Sequence, residues 1–119
     1  FYKVIVNSKM ALNLTRGKPL KYLTSNRIAS LIGNGLLTFI DKKTKLNNFF
    51  NNNEVIFYSG LEDLANKINY YKSNDSSRMK IAKNGRKKYF DLFECQKVAD
   101  YIISKSFDRD IPKVLKWMD

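Results

Sequence analysis

Along the chain the spacing of apolar and polar positions changes several times, and each change marks a new element. Residues 1–8 place Tyr2, Ile5 and Val6 in an order that suits an alternating strand and one helical face equally, which leaves this segment open between the two. Met10 to Leu14 predicts a strand, closed by Thr15, Arg16, Gly17, Lys18 and Pro19, a loop set by glycine and proline. Thr24 or Ser25 supplies the N-cap of a helix that runs through Ile32, with Ile28, Leu31 and Ile32 on one apolar face and Gly33 at its end. Gly33, Asn34 and Gly35 read as a helix-to-strand turn of the C-cap kind, because the strand, glycine, helix order of a phosphate cradle is absent. Leu36 to Ile40 is apolar except for Thr38, the pattern of a parallel strand covered on both faces, and Asp41 marks its exposed carboxyl end.

A polar, asparagine-rich excursion follows from Lys42 to Asn53, pinned down by Leu46, Phe49 and Phe50. Val55 to Tyr58 predicts a further short strand, closed by Ser59 and Gly60. The remainder is helical in pattern: Leu61, Leu64, Ala65, Ile68 and Tyr71 form one stripe, and Met79, Ala82, Arg86, Tyr89 and Phe93 outline another, with Ser73, Asn74 and Asp75 between them. A last helix is expected from about Glu94 to Lys105, carrying Val98, Ala99, Tyr101, Ile102 and Ile103, ahead of a tail that contains Pro112 and Trp117. No internal repeat is present. Strands interleaved with helices predict α/β layering, and three short strands make a thin sheet, so further strands are expected upstream of Phe1.

Composition narrows this picture only in part. At 119 residues and 44% apolar content the chain suits one domain with one core, and its start at Phe1 leads us to expect part of a longer chain. The most apolar window, Leu31 to Ile40, is broken by Gly33, Asn34 and Gly35 and falls far short of the roughly 20 residues a bilayer span needs, so a soluble protein is expected. There is one cysteine, Cys95, and no histidine, which excludes a disulfide within the chain and an ordinary zinc site. Cys95 beside Glu94 fits a reduced, cytosolic setting, and without a histidine to activate it we assign it a structural role. The net charge of +11 points to an anionic partner, whether nucleotide phosphate, nucleic acid or acidic membrane surface. With 17 lysines and 13 asparagines the same charge also suits plain solvated faces, so charge alone does not choose.

The residue that stands out is Arg27, in the first turn of a helix, where the macrodipole favours acids over cations. A bound anion would reconcile it: the N–H groups at the helix start form an anion site that Arg27 completes with paired donors, with Arg16 and Lys18 closing the other side. The alternative, equally open on the sequence, is that Arg27 reaches solvent along its alkyl stem or pairs with Asp41.

The stretch TSNRIASLIGNGLLTFID, residues 24–41, resembles the signature of group 1 glycosyltransferases of the spore-protein CgeB type, in which a helix with the pattern R-x-x-E-x-x-x-x-G leads into a buried strand. On either side, SKMALNLTRG resembles that family's preceding strand, and EVIFYSGLEDLANKINYY its later strand and helix. RMKIAKNGRKKYFDLFECQKVADYII is similar to the closing helices, so the resemblance covers about Ser8 to Phe107. It implies a GT-B architecture of two facing Rossmann-like domains. Residues 1–119 would be a single domain, the later part of the C-terminal, donor-binding one: a partial Rossmann-like α/β fold with a short parallel sheet, helices packed on it and a helical C-terminal third.

The same resemblance implies that a nucleoside-diphosphate sugar is bound as substrate near Thr24, Ser25, Asn26, Arg27 and Ser30, with Asn13 and Arg16 at the end of the preceding strand. Ser30 stands where related enzymes place an acid against the donor ribose, so a hydroxyl replaces a charged acceptor. No cofactor or bound metal is implied. The catalytic group would lie outside this chain, in a missing N-terminal domain or the absent first half of this one, so residues 1–119 alone are expected to be inactive. The implied partners are the nucleotide-sugar donor and a glycan or lipid-linked acceptor of the cell-envelope kind, with a cytoplasmic location that can be peripheral to the inner membrane face. An open sheet edge also allows a dimer of the fragment. Two rival readings remain: a basic nucleic-acid or anionic-surface binding module, supported by Lys83, Arg86, Lys87 and Lys88, and a degenerate transferase domain that kept the fold and lost the donor.

Overall fold

The computed structural model describes residues 1–111, and the tail with Pro112 and Trp117 lies outside the described residues. The ambiguous start forms a short helix α1 (Tyr2–Val6), followed by β1 (Met10–Asn13) and α2 (Asn26–Gly33). Next come β2 (Leu37–Asp41), two 3-10 turns at Lys42–Thr44 and Leu46–Asn48, and β3 (Ile56–Tyr58). Three helices complete the order: α3 (Gly60–Ser73), α4 (Asp75–Phe93) and α5 (Cys95–Ser106). Only Asn74 separates α3 from α4, a tighter junction than the polar run Ser73, Asn74, Asp75 predicted. The fold is α/β, consistent with a partial Rossmann-like domain whose C-terminal part is helical.

The three strands form one parallel sheet in the order β1-β2-β3, with Leu12 opposite Phe39 and Phe39 opposite Ile56. β2 is central, and Leu37, Thr38, Phe39 and Ile40 are all buried, as its unbroken apolar run predicted. Thr38 satisfies its hydroxyl by donating to the Leu36 carbonyl at 3.1 Å. The crossover from β2 to β3 uses the two 3-10 turns where a helix usually lies, and buried Leu46 and Phe50 supply the apolar face that such a helix would.

Successive side chains of a strand point to opposite faces, and the core divides accordingly. On one face Ile40 and Phe57 pack with Ile28 and Ile32 of α2 and with Leu46 and Phe50. On the other, Leu37, Phe39, Ile56 and Tyr58 pack with Leu64 of α3 and with Ile81 and Ala82 of α4. α4 serves both: its first half joins the second cluster, while Tyr89, Leu92 and Phe93 close the first. It changes face at Gly85, where an added Cβ would collide with the Glu54 carbonyl, just ahead of β3. Asn84 donates to the Asn53 carbonyl at 3.1 Å at the same crossing.

α2 ends as the glycine pattern predicted. Gly35 takes φ +77°, its N–H bonds the Ile32 carbonyl at 2.9 Å, and the Leu36 N–H reaches the Leu31 carbonyl at 3.1 Å. Leu31 and Leu36 then pack together with Ile5 of α1, the apolar contact that accompanies this double-bonded cap.

Some of the expected stripes turn out otherwise. Leu61 is 83% exposed and Met79 66%, because α3 and α4 bury narrower faces, centred on Leu64 and on Arg78, Ile81, Ala82 and Gly85. On α5 only Ser104 is buried, and Ile102 and Ile103 face outward. Cys95 is exposed at the start of α5, so it is no packed core thiol as its assigned structural role suggested.

Two ion pairs tie helices down. Lys67 donates to Asp63 and to the Phe57 carbonyl, both at 2.8 Å, which fixes α3 to β3, and Asp63 also accepts the Ser59 N–H at the helix start. Buried Arg78 bonds Asp75 and the Tyr71 carbonyl across the α3–α4 junction.

Two tests follow. Helix propensity favours alanine over glycine by about 1 kcal/mol, but at Gly85 the new Cβ collides with fixed backbone, an overpacking cost of about 1–3 kcal/mol or more. Gly85→Ala is therefore expected to lower the melting temperature, whereas Gly33→Ala, whose Cβ meets only the Tyr89 ring at 4.0 Å, raises it or leaves it alone. A stabilised Gly85→Ala protein would refute the crossing. Separately, the Lys67 hydrogen bond first, then the Ser59 N–H, hold the Asp63 carboxyl below its ordinary range, and Arg78 does the same for Asp75. A depressed folded-state pKa stabilises above the unfolded value and loses that contribution as pH falls through the folded one. Melting temperature should thus drop as pH falls below about 4, and Asp63→Asn with Asp75→Asn should flatten that drop. An unchanged slope in the double variant would contradict it.

Candidate functional site

At the carboxyl ends of the strands, the usual ligand edge of a parallel sheet, β1 finishes at Asn13, β2 at Asp41 and β3 at Tyr58. A cavity of about 200 Å3 opens at the end of β1, bounded by Asn13, Thr15, Arg16, Thr24, Ser25 and Arg27, with Leu14 and Leu23 beside them. Asn13 is the buried last residue of β1, held in register opposite Ile40.

Ser25 caps α2 in extended backbone geometry, and its Oγ accepts the Arg27 N–H at 3.3 Å. The Ile28 N–H goes to the Ser25 carbonyl at 3.0 Å. Two N–H groups of the first turn are thus occupied within the chain, which shifts the anion-binding capacity of this end toward the arginine side chains. The Arg27 Nη1 donates to the Leu14 carbonyl at 2.5 Å, across the cavity mouth from α2 to the end of β1. Among the described residues Arg27 makes no ion pair with Asp41; one arm of its head is fixed to backbone, and the rest of its guanidinium fork stands at an exposed position, open to solvent or to an anion.

The wall opposite α2 is a loop with its own anchors. Tyr22 sits at φ +58°, an unfavourable region for an aromatic residue. It is held there by its N–H on the Thr44 carbonyl at 2.8 Å, by Asn48 donating to its hydroxyl at 2.6 Å, and by edge contact with the Phe49 ring. Next to this wall a second cavity of about 290 Å3, rich in aromatic side chains, shares Thr24 and Ser25 with the first and is bounded by Tyr22, Phe49, Tyr89 and Phe93. The pairing of Tyr22 and Phe49 across 27 residues had no signal in either local pattern.

Of the expected site residues, the fold brings Asn13, Arg16, Thr24, Ser25 and Arg27 to one cavity. Asn26 lies exposed in the first turn of α2 outside its lining, and so does Lys18 in the loop. Ser30 is half-buried one turn further on, and its hydroxyl donates to the Asn26 carbonyl at 3.0 Å. Sequence reasoning missed the Leu14 carbonyl, the group that orients Arg27, since a backbone acceptor leaves no trace in residue type.

Further along the same edge the Asp41 carboxylate accepts the Lys43 N–H at 2.8 Å and caps the 3-10 turn. Burial first, and the Asp41 charge second, push the Tyr58 hydroxyl above its ordinary range, so it stays protonated at neutral pH. Among the described residues no group of three or more acidic or cysteine side chains is placed to hold a metal ion, and no helix is long and apolar enough to cross a membrane.

No curated protein and no solved structure matches the chain. A family model does, that of the glycosyl transferase-like proteins, over residues 1–104. That span takes in the sheet, the cavity at the end of β1 and nearly all of the helical part, and the chain belongs to the glycosyl transferase-like family.

Proposed function

We propose that the cavity at the end of β1 holds the diphosphate of a nucleoside-diphosphate sugar, and that the protein transfers that sugar to a glycan or lipid-linked acceptor, in the manner of the CgeB-type group 1 transferases. The observation that carries this reading is the Arg27 guanidinium bridged to the Leu14 carbonyl over a cavity that also has Arg16 on its rim, in a chain of the glycosyl transferase-like family. When the bond from sugar to diphosphate breaks, negative charge grows on the leaving oxygen. Arg16 and Arg27 stand ready to offset it, which lowers the barrier without a bound metal. Asn13, Thr24 and Ser25 add neutral donors and acceptors for the donor's hydroxyl groups. The resemblance puts the group that activates the acceptor outside residues 1–119, in a facing N-terminal domain or in the first half of this one.

A second reading has a specific observation behind it. Ser30 carries no charge, and its hydroxyl is already committed to the Asn26 carbonyl, so the ribose contact implied for this position is weakened. On that reading the domain keeps the fold and has lost the donor.

Binding of uridine and guanosine diphosphates, followed by calorimetry, separates the two. A charge-assisted hydrogen bond contributes about 1.5–3 kcal/mol, so Arg27→Ala is expected to weaken binding by about tenfold to a hundredfold. Arg27→Lys, which keeps the charge and loses the fork, recovers only part. Equal affinity in all three proteins would remove Arg27 from the site, and no binding to the unaltered protein would leave the structural reading standing. The isolated 119 residues should turn over no nucleotide sugar in a product assay; measurable transfer by them would place the catalytic group inside this chain.

A further inference from the structure

The amino ends of the strands carry a second concave surface, at the opposite edge of the sheet from the Arg27 cavity. A groove of about 490 Å3 runs between α4 and the lead-ins to β1 and β2, lined by Lys9, Arg78, Lys83 and Arg86 together with Gly35 and Met79. No carboxylate lines it.

Arg78 distinguishes this groove from ordinary surface charge. The residue is only 5% exposed, and its Nη1 is spent on the Tyr71 carbonyl and on Asp75. Arg78 is thus held at the groove wall by a carbonyl and a carboxylate. Asp75 offsets one positive charge, and Lys9 lies close enough to help hold its carboxyl low, after Arg78. Among the described residues Lys83 and Arg86 have no ion-pair partner, and Arg86 is steadied by the Phe90 ring, 5.7 Å from its guanidinium carbon to the ring centroid. The carbonyls of Leu31 and Ile32 at the end of α2 are occupied by the Leu36 and Gly35 N–H groups, which reduces the negative potential α2 would otherwise present here.

Four cations against a single carboxylate, one of them buried and held at the wall by Asp75 and the Tyr71 carbonyl, need a multiply charged, oxygen-rich anion. A neutral sugar or a single carboxylate would leave most of that charge unmatched. We propose that this groove is a second anion site that takes a phosphate-bearing ligand, either a free diphosphate or the phosphate of a lipid headgroup. It stands independently of the donor reading, since it uses none of the residues of the other cavity.

Calorimetric titration with inorganic pyrophosphate at fixed ionic strength, on the chain carrying Arg27→Ala to silence the first cavity, tests the proposal. Lys83→Glu with Arg86→Glu should weaken binding by about tenfold or more. Lys80→Glu with Lys87→Glu, which changes the net charge equally from α4 positions outside the groove, should change it by less than about threefold. Sedimentation with vesicles of phosphatidylglycerol in phosphatidylcholine then assigns the source. Retention that the groove pair abolishes identifies a headgroup, and pyrophosphate binding without retention identifies a soluble phosphate. Equal losses in the two pairs of variants, or no binding to either probe, would overturn the site.

Discussion

Everything in this fold turns on one missing side chain. α4 is long enough to reach both faces of a sheet only three strands wide, but it must pass the amino ends of those strands to do so. At Gly85 the helix backbone comes against the Glu54 carbonyl at a distance no Cβ tolerates. Because that contact is permitted, Ile81 and Ala82 close one core cluster while Tyr89, Leu92 and Phe93 close the other. A thin sheet covered by two unconnected layers would divide its apolar burial into two weak halves. A single helix serving both makes their stability cooperative, at the cost of a glycine in the middle of a helix.

The crossing also bears on which edge of the sheet stays open. α4 closes against the amino end of β3 at Glu54, while the cavity beside Asn13 and Arg27 lies at the carboxyl end of β1. The basic groove lies beside the same crossing, between α4 and the starts of β1 and β2. Positive charge is thus presented at both ends of the sheet, by different means. At the carboxyl edge a backbone carbonyl orients an exposed arginine; at the amino edge a buried arginine is oriented by a carboxylate and a carbonyl.

How much of this could be read from residue order depended on whether the cause was local. The burial of β2 was legible because Leu37 to Ile40 has neighbours on both faces and tolerates almost no polar atom. The end of α2 was legible because only glycine takes φ +77° without cost, and Gly35 stands where the cap requires it. The N-cap at Ser25 followed from the same kind of short-range bonding. Residues 2–6 were not decidable, since what makes them helical is Ile5 finding Leu31 and Leu36, contacts that lie some thirty residues away. The stripes through Leu61 and Met79 overreached because periodicity reports which residues could share a face, not how wide a partner that face meets. Nothing in the local pattern explains Gly85, and only the position of Glu54 shows why it is there. The candidate site was half legible: Arg27 and its cap could be read, while the Leu14 carbonyl that aims the side chain could not.

Size, more than charge, limits what the carboxyl-end cavity can do by itself. Pockets that bury a drug-sized ligand run to about 300–1,000 Å3, and the space beside Asn13 is about 200 Å3. That is room for a diphosphate against two arginines, not for a base, a ribose, two phosphates and a sugar together. The neighbouring aromatic cavity adds about 290 Å3, but Thr24 and Ser25 stand between the two spaces. A nucleotide sugar held only by its diphosphate would keep much of its surface in water, where each ionic contact is worth a fraction of its value in a closed site. On the proposed reading, transfer would need another surface to descend on this edge, exclude water and raise the effect of Arg16 and Arg27. In that arrangement the charge would be placed in advance by α2 and β1, and closure would make it count.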